Sequence, residues 1–361
     1  MSHKNNILLF CGIMVAFSLP AKGDNIFKKA SHFIKKFNAV DSNYIEPKKY
    51  DFKVGVTYVF GQENYNIYTE NGVELNFRSH TSQKIGPSIG YKMFSGTLGL
   101  SLNAQDVQNK DKIELEASIF TLRFNLDLFY RKTGGDFILR DWEAPFASSY
   151  TPEDCPRSFE MGGFVTSKMV GANFYYVFNH KKFSYPSAVR SVGVQLRSAG
   201  SVLAGIGYTH RFMTNQLSNF CNMMEWYYRG LPSEYNDFSS TNNDLCSKMK
   251  YDEFILWGGY AYNWVPARNI LISAAGILGP AIKTEKGDNK ESWNRSIVQI
   301  DVSDTMVDFN YTGRLSAQYN NGKWFAGALA NINHYRYRNG NISFHTDNTF
   351  WNVRLFTGLR F

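Results

Sequence analysis

The chain ends Trp351-Asn-Val-Arg-Leu-Phe-Thr-Gly-Leu-Arg-Phe361. Counting back from Phe361, every second side chain (Leu359, Thr357, Leu355, Val353, Trp351) is apolar or neutral. Between them lie Arg360, Gly358, Arg354 and Asn352, mostly polar or small, with Phe356 as the exception. A period of two describes a strand with one face in an apolar medium and the other wet. A strand that finishes the polypeptide on an aromatic residue is also how transmembrane barrels of outer membranes end. A soluble sandwich can end the same way, so the decision rests on whether the rest of the chain closes a barrel around it.

Composition narrows the choice. Aromatic residues make up 16% of the 361 positions and charged residues only 19%, against a usual charged share of ~25%. No run of about 18 apolar residues follows the first twenty, which excludes helical membrane spans. Abundant aromatics and glycine without an apolar 20-mer fit a transmembrane barrel, whose signal per strand is dilute.

Residues 1–23 read as a secretory signal: Lys4 supplies charge, Ile7 to Leu19 the apolar stretch, and Ala21-Lys22-Gly23 a small-x-small cleavage site. Cys11 suggests a lipoprotein alternative, but Phe10 stands where a small residue is expected. Residues 24–49 form a second unit. In its first part Ile26, Ala30, Phe33, Ile34 and Phe37 recur at helical spacing, flanked by Lys28, Lys29, Lys35 and Lys36. That pattern reads as a short basic amphipathic helix on the inner membrane surface or at the barrel mouth, or as a frayed leader.

Loss of residues 1–23 removes Lys4 and Lys22 and no acid, taking the formal charge from +8 to +6. A mild positive excess suits outer-membrane lipid headgroups and lipopolysaccharide. Nucleic acid is not expected, because dense Lys/Arg runs and nucleic-acid motifs are lacking. Phe361 is the expected handle for the barrel-assembly machinery. Of the remaining cysteines, Cys221 and Cys246 share one long polar segment and are the candidate disulfide in an exporting context, which leaves Cys155 free.

From Tyr50 to Phe361 the alternation persists and predicts an antiparallel barrel of about twelve strands. Phe52, Val54, Val56, Tyr58 and Phe60 share one face. Asn71-Gly72 is a hairpin turn, followed by Val73, Leu75 and Phe77. Between residues 112 and 131 the apolar positions switch from odd to even, which demands a bulge near Phe120 or a tight hairpin there. Further strands read at 164–178, 187–211, 251–264, 268–280, 304–320, 322–337 and 343–361. Short connections at 80–82, 106–111, 179–186, 265–267 and Asn321 are assigned to the periplasmic side. Long ones at 132–163, 212–250 and 281–303 are assigned to the outside. The soluble alternative, a β-sandwich, would not need so many strands of ten or more residues.

Several blocks are more specific than periodicity: Asp41-Ser-Asn-Tyr-Ile-Glu-Pro47, Phe129-Tyr-Arg-Lys-Thr-Gly134, Phe183-Ser-Tyr-Pro-Ser-Ala188 with Arg197-Ser-Ala-Gly-Ser201, Tyr260-Ala-Tyr-Asn-Trp264 and Tyr319-Asn-Asn-Gly-Lys-Trp-Phe325. In combination they resemble the signature blocks of the domain-of-unknown-function 4421 family of Gram-negative bacteria, from about Asp41 to the end. The resemblance implies an exported protein of barrel type in the cell outer membrane, and no activity.

With the apolar faces turned to lipid, the opposite faces place Lys84, Lys92, Glu114, Glu116, Arg123, Asp127, Arg314, Arg354 and Arg360 in the lumen. Such ions either pair across strands and fill a small barrel, or leave a passage that favours anions, because bases outnumber acids. Trp257, Trp264, Trp324, Trp351, Tyr260, Tyr262, Tyr319 and Tyr337 are read as interfacial girdles. The aromatic loop Cys221-Asn-Met-Met-Glu-Trp-Tyr-Tyr-Arg-Gly230 is the candidate contact for an external ligand, whose identity is unknown. Enzymatic readings are weak. His80, His210 and His345 lack a strand-borne His-x-Ser arrangement, and neither a zinc spacing nor a Gly-rich phosphate loop stands out. The expectation is a non-enzymatic structural or binding barrel without cofactor or metal. A narrow anion channel is the alternative, and a lipid-modifying enzyme is the third choice.

Overall fold

The computed structural model describes residues 40–46, 49–69, 72–102, 113–132, 137–143, 158–160, 165–215, 248–285, 306–338 and 344–361. The expected signal peptide, the helix proposed from residue 24 onward, all the cysteines and the segment 221–230 lie outside those residues. In chain order the strands are β1 (Ile45–Glu46), β2 (Phe52–Thr69), β3 (Glu74–Ser79), β4 (Ser82–Tyr91), β5 (Phe94–Ser101), β6 (Ile113–Phe120) and β7 (Phe124–Lys132). Then follow β8 (Phe137–Glu143), β9 (Phe159–Glu160), β10 (Val165–Val177), a helix α1 (Tyr185–Arg190), β11 (Val194–Gln195) and β12 (Ala199–Asn215). The last five are β13 (Lys248–Ala267), β14 (Ile270–Glu285), β15 (Met306–Asn320), β16 (Trp324–Arg338) and β17 (Phe344–Arg360).

The fold is an all-β, closed antiparallel barrel of 12 strands, namely β2, β4 to β7, β10 and β12 to β17. Closure is made by the strand with which the chain ends. β17 pairs with β2 from Arg360–Lys53 to Phe344–Thr69, and the Phe361 N–H donates to the Phe52 carbonyl at 2.9 Å. A closed ring leaves no unpaired edge, which is what lets strands cross an apolar medium. We call the end carrying Phe52 and Phe361 the lower end.

The structure corrects several expected connections. Of the two alternatives at Phe120 the hairpin is the one formed: β6 pairs with β7 around residues 121–123, with Phe120 opposite Asn125. A second lower turn, Lys92-Met93, joins β4 to β5. The link from β5 to β6 therefore belongs to the upper end, not to a lower turn at 106–111. Residues 80–82 are no turn either. β4 and then β3 line the same edge of β2, so they form one descending course interrupted at His80-Thr81. Above the short β5–β6 hairpin, β3 pairs directly with β8, inside what reads as the loop 132–163. Finally, β12 begins at Ala199 and not near residue 187, because residues 178–198 fold into the barrel.

Candidate functional site

The barrel is apolar outside over most of its height, and much of its interior is charged or polar. Leu315 (63%), Phe309 (65%) and Leu256 (61%) stand exposed on the outer face, while inward Glu253 and Lys283 are almost fully buried. In water such an apolar belt would be a large aggregation surface; against hydrocarbon it is the favourable arrangement. The alternation in the sequence is therefore a lipid-to-lumen alternation.

Residues 178–198 turn inward at the lower end and plug the lumen. Helix α1 is short but well specified. Ser184 is its N-cap, accepting a hydrogen bond from the Ser187 N–H at 3.2 Å. Pro186 stands in the first turn, where its missing N–H costs nothing. Ser191 ends the helix in the left-handed region at φ 52°. One side of this plug is apolar: Phe183 and Tyr185 pack with Tyr175, Leu203, Ile255, Trp257 and Ile277 on the inner faces of β10 and β12 to β14. The other side is held by hydrogen bonds to the remaining wall. Lys53 Nζ donates to the Arg190 carbonyl at 2.8 Å and Asn320 to the Gly193 carbonyl at 2.7 Å. Ser191 Oγ lies 2.6 Å from Gln318 Oε1, and Arg360 donates to the Ser191 carbonyl. On the apolar side as well, Asn263 of β13 donates to the Ser184 carbonyl at 3.0 Å.

Arg190 carries the plug into an ion network. Its guanidinium lies 3.0 Å from Glu116 and 3.0 Å from Asp127. Arg354 takes the other oxygen of Glu116 at 2.7 Å. Glu114 is shared by Lys84 at 2.7 Å and Arg131 at 2.9 Å. Arg314 approaches Asp127 at 4.0 Å and donates to the Tyr185 hydroxyl. In a low-dielectric lumen these charges are tolerable only because each has a partner; stripping one costs about 3–5 kcal/mol. Glu116, Asp127, Arg131, Arg190, Arg314 and Arg354 line a cavity of about 100 Å³ beside the plug. Above it, Lys283 sits 3.4 Å from both Glu253 and Asp308, and Arg211 lies 4.0 Å over the Tyr335 ring.

Of the nine residues expected in the lumen, Lys84, Glu114, Glu116, Asp127, Arg314, Arg354 and Arg360 face inward, and all but Arg360 meet in this network. Lys92 and Arg123 do not. Lys92 sits exposed in the β4–β5 turn at φ 50°, its ammonium over Tyr91. Arg123 lies in the β6–β7 turn, with its guanidinium 3.1 Å from His180 Nε2. That contact needs an unprotonated Nε2, and burial, reinforced by the Arg123 charge, holds the His180 imidazole below its ordinary value. Two expected girdle residues also point inward. Trp257 donates to Asn173 at 3.0 Å, and Tyr337 stacks on Tyr251 at 4.5 Å between centroids.

Arg190 was missed by the sequence reading, because a strand assigned over 187–211 puts it in the wall. The usable signal was the Ser184-Tyr-Pro-Ser187 cap followed by a six-residue basic-ended turn. Among the described residues no cluster of His, Cys, Asp and Glu is arranged to hold a metal ion. The candidate site is thus a plugged, charge-paired lumen.

A family described as a domain of unknown function (DUF4421) matches residues 39–361. No curated protein sequence is significantly similar to the chain. Among solved structures, the outer membrane protease OmpT from Escherichia coli is 8% identical, covering 88% of this chain and 99% of its own, at a TM-score of 0.35. The translocator domain of the autotransporter NalP from Neisseria meningitidis is 9% identical, covering 94% and 98%, at 0.32. The COG4313 outer membrane channel from Pseudomonas putida F1 is 10% identical, covering 87% and 100%, at 0.29.

Proposed function

We propose that this chain, which belongs to the DUF4421 family, is a non-conducting barrel of the cell outer membrane. In this reading it serves as a structural or binding barrel whose upper segments, 132–163 and 212–250, meet an external ligand or partner. The lower end faces the periplasm, as the export signal and the terminal strand suggest. The observation that supports this most is the 178–198 plug, which is bonded to wall strands around the ring and fills the lower lumen with paired charges. A side-chain-filled interior is what a small barrel requires for packing, and ions have no free path through it.

The test is conductance of the purified barrel in planar bilayers. The intact chain should show no steady steps, while replacing residues 183–195 by a Gly-Ser link should produce them. Steady steps from the intact chain would contradict the reading. A second reading, a gated anion path, draws on the arginine-rich cavity: steps in the plugless form that favour anions would support it.

A further inference from the structure

We propose that a row of lysines on the outer face of the barrel binds the phosphate groups of a phosphorylated glycolipid, of the lipopolysaccharide class, in the leaflet at the upper end. The proposal rests on the outer-membrane reading for its orientation and adds to it a site and a ligand class. Register brings the row together. Lys132 of β7 is paired with Lys168 of β10, Lys168 with Phe212 of β12, and Phe212 with Lys250 of β13. Four neighbouring strands at the usual spacing make the row roughly 15 Å long, long enough to meet more than one phosphate.

The row sits where headgroups would be. Below it, past the His210–Asp252 pair, the same face is apolar, with Val170, Phe174, Ile206, Phe254 and Leu256 exposed. From Val202 to Phe212 the outward side chains of β12 climb roughly 33 Å along the strand, or roughly 25 Å of height at the usual tilt, which matches the apolar band of a transmembrane barrel. Lysine is costly in the middle of such a band and favourable at its edge, where its ammonium meets anionic lipid.

Two of the ammonium groups also reach toward one ring. Lys168 Nζ lies 5.7 Å and Lys250 Nζ 5.6 Å from the same Phe212 ring. Two cations held around one ring repel each other, and an anion close to both relieves that repulsion. The carboxylate of Asp252, one pair lower on this face, is occupied by the Tyr208 hydroxyl at 2.8 Å and His210 Nδ1 at 2.7 Å.

The experiment is native mass spectrometry of the full chain folded in detergent. The probes are bisphosphorylated lipid A, dephosphorylated lipid A, phosphatidylglycerol and inorganic phosphate. The intact protein should retain bisphosphorylated lipid A and lose at least ten-fold in affinity for the dephosphorylated form. The variant K132Q/K168Q/K250Q should bind it about 100-fold more weakly, as three surface basic contacts imply. A control, K92Q/K181Q, alters exposed lysines of the lower turns and should bind as the intact chain does. Should the triple variant fail the heat-modifiable gel test of folding, K168Q alone should weaken binding about five-fold. Undiminished binding by a folded variant, equal binding of dephosphorylated lipid A, or equal binding of phosphatidylglycerol or inorganic phosphate would each overturn the proposal. A wild-type chain that forms no barrel at all would instead break the reading beneath it.

Discussion

Strand β2 has two halves that obey opposite rules. From Phe52 to Phe60 the outward side chains are Phe52, Val54, Val56, Tyr58 and Phe60, while Lys53 and Thr57 point in and are buried. From Gln62 onward the outward residues are Gln62, Asn64 and Asn66, while Tyr65 and Ile67 point in at 0% and 1% exposure. Pairing with β17 continues through the change without a register shift. The strand is thus a membrane strand below and a soluble-protein strand above. β3 and β8 join the upper half, packing Leu75, Phe77, Phe137, Leu139 and Trp142 inward. The solvent on the outside decides which face must be apolar, and the backbone accommodates either.

That contrast can be broken most sharply at apolar residues of the two regions. Phe77→Ala, in the upper core, should cost about 3–5 kcal/mol, because it leaves a cavity. Phe309→Ala, on the lipid face, should cost under ~1.5 kcal/mol, because lipid refills the space left. Urea unfolding of the barrel in lipid vesicles reads both, and equal losses would erase the distinction. Arg190→Ala should be as severe as Phe77→Ala, about 3–5 kcal/mol, since Glu116 loses one of its two basic partners and Asp127 its closest one.

Placing a charge on each half sharpens the comparison further. Ile206→Lys, on the lipid face, should destabilise by about 2–4 kcal/mol, whereas Asn66→Lys, on the upper outer face, should stay within about 0.5 kcal/mol. Similar values at both sites would mean the apolar boundary does not lie near Phe60 and Gln62. The smallest effect concerns the plug entrance. Because the folded His180 is harder to protonate than the unfolded one, stability should fall as pH drops below about 6.5. His180→Gln should flatten that part of the pH profile, and an unchanged slope would remove His180 from the account.

These contrasts explain what could be read from the sequence. Along β13 to β17 one face is apolar over long stretches, so alternation separated lipid from lumen and put Arg314, Arg354 and Arg360 inside. Alternation has a period but no sign, however. Val73, Leu75 and Phe77 alternate like any lipid-facing strand, yet they face the interior because water, not lipid, lies outside them. Trp257 and Tyr337 were misplaced for the same reason: an aromatic near a strand end is interfacial only if its parity points outward. The plug escaped because α1 has only six residues, too few for a helical period to appear. Its Val192, Val194 and Leu196 then extend the alternation of β12 backwards by accident.

The plug is the claim on which the functional reading stands, and amide hydrogen exchange over residues 183–196 tests it most directly. In the folded barrel the Ser184 N–H donates to Gln195, the Ser187 N–H to Ser184, and the Leu196 N–H to the Tyr44 carbonyl. Peptides covering this segment should exchange as slowly as those from β13 and β14, on the scale of hours. Complete exchange within seconds, with the wall strands still protected, would mean that the segment does not occupy the lumen.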